Sequence, residues 1–138
     1  MSQVLETKRK KQPLEVFVKQ VNLICYTIQI TSGKTFAPAY QYQAVIVSRI
    51  VSQTIDIYTF SWEANNIRVG SDREKYRRRK ELQQRAIERC DSLLGLILVA
   101  KMMFHLSGKR YEYWCRRVME VKDMTMTWKE KDIKGESL

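Results

Sequence analysis

The densest chemistry in the chain is cationic. Between Arg73 and Arg89 stand Arg73, Lys75, Arg77, Arg78, Arg79, Lys80, Arg85 and Arg89 against Glu74, Glu81 and Glu88, a net of +5 in a sequence whose formal charge is +10 over 138 residues. Guanidinium and ammonium groups at this density attract polyanions, and phosphate is the partner they suit best. Helical pairs such as Arg77 with Glu81, or Arg85 with Glu88 or Glu81, use only part of this charge, because three acids are too few for eight bases. Docking on an acidic protein and plain solvation are the alternatives to phosphate binding. Tyr76, inside the run, either packs on the end of a bundle or stacks on a base. A second set, Lys109, Arg110, Arg116 and Arg117, extends the candidate nucleic-acid-binding residues, with Arg110 and Arg117 seven apart on one helical face.

Catalytic chemistry has no comparable constellation. The single histidine, His105, falls where a helix is expected to end and suits a capping role. The chain contains no H-E-x-x-H, C-x-x-C, P-loop or G-x-G-x-x-G pattern, and Asp56, Glu63 and Asp91 have no spacing that pairs them for acid and base work. The expectation is a protein that is not an enzyme, with no cofactor and no metal site. Cys25, Cys90 and Cys115 are odd in number and far apart, which fits reduced thiols in the core or at its boundary. The longest apolar run, residues 93–100, falls well short of the ~20 residues a membrane span needs, and no apolar leader opens the chain. A soluble, cytoplasmic protein is expected.

Hydrophobic residues make up 44% of the sequence, with two prolines and five glycines, enough apolar material for one packed domain. Residues 1–12 are polar, carry Lys8, Arg9, Lys10 and Lys11, and read as a flexible basic arm. Pro13 suits a first helical turn, and Leu14, Phe17, Val18, Val21, Ile24, Cys25 and Ile28 follow at helical spacing, predicting a helix over 14–31 that stops at Gly33. A second helix is expected over 39–67, with Ile46, Ile50, Ile57 and Phe60 on one stripe and Val47, Val51 and Tyr58 beside it. Ser71-Asp72-Arg73-Glu74 matches a capping box and opens a third helix over 72–106, whose core face is Leu82, Ala86, Cys90, Leu93, Ile97, Ala100 and Phe104. Tyr111, Trp114, Val118 and Val121 carry a fourth over 109–131, before a polar tail at 132–138. Four amphipathic helices with short connections predict an all-α, antiparallel up-and-down four-helix bundle over residues 13–131.

At ~100° per residue, Lys75 and Arg79 project into the sector of that third core face. Unpaired charge in an apolar core costs several kcal/mol. The third helix is therefore expected to leave the shared core before Leu82 and to present its cationic start to solvent.

The landmarks Pro13-Leu14-Glu15-Val16-Phe17, Phe36-Ala37-Pro38-Ala39-Tyr40-Gln41-Tyr42, Ser48-Arg49-Ile50, Leu106-Ser107-Gly108-Lys109-Arg110-Tyr111-Glu112 and Trp128 recur in order over residues 13–130. The pattern resembles the Avd-like four-helix bundle family, which includes the accessory variability proteins of diversity-generating retroelements and the bundles encoded in ribosomal RNA intervening sequences. Phe36, Pro38 and Tyr42 look like the family's Phe-Pro…Tyr segment, Arg49 like its second-helix Arg, and Tyr111 like its Tyr at the start of the fourth helix. Ile46-Val47-Ser48 stands where the family usually has Leu-Gly before that Arg. The resemblance implies a ring-shaped homo-oligomer, a pentamer, encoded by a bacterium or phage. It implies binding to a reverse transcriptase and to template RNA, with DNA as a further ligand, in support of mutagenic cDNA synthesis and retrohoming. The ribosomal-intervening-sequence branch implies instead a protein-interaction scaffold that docks an acidic partner.

Overall fold

The computed structural model describes the backbone of residues 2–36 and 41–136 and the side chains of residues 13–36 and 43–132. It is built from helices α1 (Ser2–Thr31), α2 (Gln41–Asn66), α3 (Arg73–Phe104) and α4 (Gly108–Glu136), with a 3₁₀ turn at Lys34–Phe36 and no strand among the described residues. Each helix of the pairs α1–α2, α2–α3, α3–α4 and α1–α4 packs on the other, so α1 and α3 lie on one diagonal of the bundle and α2 and α4 on the other. Contacts between α3 and α4 run in opposite order along the two helices, from Arg79–Asp132 through Gln84–Lys129 to Asp91–Lys122. The same holds for α1 and α4, where Phe17 meets Trp128 and Thr27 meets Trp114. The neighbours are antiparallel, as the short connections predict.

The core consists of two apolar clusters with a polar layer between them. Phe36 packs on Phe104 and Trp114 at one end, while Phe17 meets Tyr58, Trp62 and Trp128 edge-on at the other. Between them Gln20 donates from Nε2 to Ser61 Oγ (2.9 Å) and Thr125 Oγ1 (3.2 Å), which ties α1 to α2 and α4. Ser61 and Thr125 donate in turn to the carbonyls of Ile57 and Val121, and Thr54 to that of Ile50, one turn back, so their hydroxyls are satisfied inside the bundle.

Helix starts and faces differ from expectation in four places. α1 runs through Pro13 back to Ser2 instead of beginning after it. Glu, Lys, Arg and Gln fill the preceding turns, and their helix propensity offsets the hydrogen bond that a proline removes. The side chains of Lys8 to Lys11, Tyr42 and residues 133–136, together with Pro38 and residues 137–138, lie outside the described residues. The buried face of α1 is Val16, Phe17, Gln20, Leu23, Thr27 and Ile30, whereas Leu14, Val18, Val21, Cys25 and Ile28 are exposed. The α3 N-cap is Asp72, one residue after the expected serine; its carboxylate accepts from the Glu74 and Lys75 amides, a tighter match to the helix's positive end than a hydroxyl. α4 continues through the expected tail to Glu136 and carries Asp132 with it.

All seven residues expected on the α3 core face are buried. His105 closes α3 as a C-cap in the left-handed conformation (φ 56°), its amide bonded to the Lys101 carbonyl. Gly70, at φ +55°, makes the α2–α3 turn that a residue without Cβ adopts most readily. No helix among the described residues is long and apolar enough to cross a membrane.

Candidate nucleic-acid interface

The eight cations of the α3 start separate into three environments. Arg79 faces inward, is 9% exposed, and joins three helices. Its Nε and Nη2 donate to the two carboxylate oxygens of Asp132 on α4 at 2.7 and 2.8 Å. Nη1 donates to the Ala64 and Ile67 carbonyls at the C-terminal end of α2 (3.1 and 3.0 Å), where a cation meets the negative end of the helix dipole. The guanidinium also lies 5.8 Å from the centre of the Trp128 ring, and Gln83 adds a bond to Asp132 at 3.2 Å. Arg79 is therefore a structural latch and not a nucleic-acid contact. The core does not end before Leu82 as expected, because a bidentate carboxylate makes the inward guanidinium tolerable. Lys75, the other cation assigned to that sector, is exposed at the helix start.

Arg73, Arg77 and Lys80 lie on the flank of α3 that faces α4. With Tyr76, Gln84 and Lys129 they line a groove of about 570 Å³ whose one acidic wall residue is Glu81. Lys80 Nζ sits 5.4 Å from the centre of the Tyr76 ring, and Lys129 Nζ donates to Gln84 Oε1 at 2.6 Å. Arg77 reaches Glu74 at 3.4 Å, but both side chains are well exposed, so water competes for the contact. Lys129 is not among the sequence candidates: it lies far in sequence from both basic sets, and only the α3–α4 register brings it beside Gln84.

Lys75, Arg78, Arg85 and Arg89 fall on the opposite flank, toward α2. Arg78 and Arg85 are exposed, and neither they nor Lys75 or Arg73 has an ion-pair partner among the described residues. Arg89 is half-buried against the Phe60 ring (5.6 Å) with Asp56 at 3.7 Å, so its charge is partly spent within the bundle. The N-terminal end of a helix disfavours cations, and Arg73, Lys75, Arg77 and Arg78 crowd the first two turns regardless.

The second basic set does not join the first. α4 is antiparallel to α3, so Lys109, Arg110, Arg116 and Arg117 lie toward the other end of the bundle, beyond the Lys122–Asp91 pair (2.8 Å). Arg117 packs against the rings of both Tyr26 and Tyr113 (4.9 and 5.5 Å) and donates to the Tyr113 hydroxyl at 2.8 Å. Arg110 reaches Thr35 at 3.4 Å, while Lys109 and Arg116 are exposed. Of the residues carried by the resemblance, Phe36 is buried, Arg49 is exposed, and the Tyr111 ring lies 5.4 Å from the Lys101 ammonium.

Two of the three cysteines are poor nucleophiles. Burial pushes the Cys90 thiol up to about 12, with Asp91 adding to the effect, so it stays protonated and inert. Cys115 is also raised by burial, and Cys25 is exposed rather than at the core boundary. No cluster of three or more potential metal ligands occurs among the described residues. No protein family, curated protein or solved structure matches this chain.

Proposed function

We propose that this protein is a non-catalytic accessory subunit that binds nucleic acid. It holds RNA, DNA or both on the two cationic flanks of the α3 start and works beside a reverse transcriptase in the manner of a diversity-generating retroelement. The observation that carries this reading is that Arg73, Lys75, Arg77, Arg78, Lys80 and Arg85 project from a rigid helix with few acidic partners, while Arg79 between them is locked away. Phosphates are the ligands such a surface neutralises, and each contact releases counterions.

RNA binding measured across a salt series tests it. Replacing Arg77, Arg78 and Lys80 together with alanine removes three outward cations and leaves the Arg79 latch intact. The expected result is weaker binding, with the slope of log affinity against log salt reduced by up to about 2 for a single strand, at unchanged helicity. Equal affinity at every salt concentration would sink the reading, and preferential binding of polyglutamate over RNA would favour an acidic protein partner. The proposal extends to assembly: a ring of copies, five if the family resemblance holds, would place these flanks around a common rim. Its support is the pair of apolar stripes left on the outside of α1 and α3.

A further inference from the structure

The groove between the α3 start and the α4 end is concave and has an aromatic wall. Tyr76 lines it, and Arg73, Arg77, Lys80 and Lys129 surround it with Glu81 as the only acid. Its volume of about 570 Å³ lies within the range of ligand pockets, so it admits a nucleotide-sized group and not merely a counterion. Gln84 accepts from Lys129 through Oε1, which leaves its Nε2 hydrogens to donate to a base edge.

From this geometry, and resting on the nucleic-acid reading above, we propose that the groove is a single-strand site that takes one unpaired nucleotide, its base stacked on Tyr76 and its flanking phosphates held by Arg73, Arg77 and Lys80. A duplex meets cations with its phosphates but keeps its bases paired inside, so it cannot fill a recess beside a tyrosine ring. An unpaired base brings a π-face to the ring, and the phosphates on either side reach the cations that rim it. Lys80, already over the Tyr76 ring, is placed to follow the base and meet the next phosphate. The site is tolerant of base identity, because every base has a face to stack and an edge acceptor that Gln84 can reach.

Fluorescence anisotropy of the full chain with an unstructured RNA and with a duplex of equal length separates the two modes. Tyr76→Ala is expected to weaken single-strand binding roughly 5- to 100-fold, to leave duplex binding within about twofold, and to leave the salt slope unchanged. Tyr76→Phe keeps the ring and should bind single strands as the parent does, which separates stacking from a folding defect. A 2-aminopurine base in the RNA should be quenched on binding to the parent and to Tyr76→Phe, but not to Tyr76→Ala. Equal losses on both ligands, or none on either, overturn the single-strand site while leaving the nucleic-acid reading in place. Failure of the parent protein to bind any nucleic acid overturns both.

Discussion

Arg79 and Lys80 are neighbours in sequence with opposite surroundings. Arg79 fills a pocket made by Asp132, the α2 carboxyl-terminal carbonyls and Trp128, whereas Lys80 stands on the groove wall. Arg79→Ala would leave a carboxylate that is 11% exposed without its cation and two carbonyls without a donor, so the expected loss is ~3–5 kcal/mol. That is a large part of the ~5–15 kcal/mol available to a domain. Lys80→Ala should change stability by no more than ~0.5 kcal/mol. Urea unfolding followed by circular dichroism compares the two, and similar midpoints would mean that Arg79 is not a latch. Helical periodicity does place Arg79 on the inner sector. What it cannot supply is the counter-ion, because Asp132 lies 53 residues away in a segment that reads as a polar tail.

At the scale of elements, α3 was legible on its inner face and misleading on its outer one. The inner face is continuous from Arg79 to Phe104, and what changes along the helix is the outside, from Arg73, Arg77 and Lys80 to Leu98, Val99 and Met102. α1 shows the converse: its most regular apolar spacing, Leu14-Val18-Val21-Cys25-Ile28, faces solvent, while the core side mixes Val16, Leu23 and Ile30 with Gln20 and Thr27. Periodicity finds an apolar stripe but not which neighbour it meets, and polar core positions bonded to each other dilute the signal of the true inner face. The start of α3 depends on which residue caps it. Asp72→Ala removes the acceptor for two amides in a turn crowded with cations, and a loss of ~1–2 kcal/mol is expected, with Asp72→Asn recovering the hydrogen-bonded part. Ser71→Ala should be silent within ~0.5 kcal/mol. Comparable losses from both alanine variants in thermal melts would return the cap to Ser71.

For the whole molecule, the apolar stripes on the outside of α1 and α3 constrain how copies can associate. Leu14, Val18, Val21, Cys25 and Ile28 on α1 alternate four- and three-residue steps, the spacing of a helix–helix seam, and Leu98, Val99 and the 70% exposed Met102 form a second stripe on α3. Because α1 and α3 occupy one diagonal, the stripes point to opposite sides of the bundle. If the α1 stripe of one copy covers the α3 stripe of the next, the contact is heterologous, and such contacts close into a ring when the rotation permits. Val18→Asp and Leu98→Asp each damage one stripe at an exposed position, so both variants should fold and light scattering should find each reduced to single chains. Mixed in equal amounts they retain one intact stripe apiece, and the expected product is a heterodimer of twice the single-chain mass that grows no further. Cys25, inside the α1 stripe, supplies a local readout: an alkylating reagent should modify it faster in the dissociated variants than in the assembled parent. If Leu98→Asp leaves the oligomer intact while Val18→Asp dissolves it, α1 pairs with α1 and the assembly is a two-fold dimer rather than a ring. If neither substitution changes the mass, the stripes are not the interface between copies.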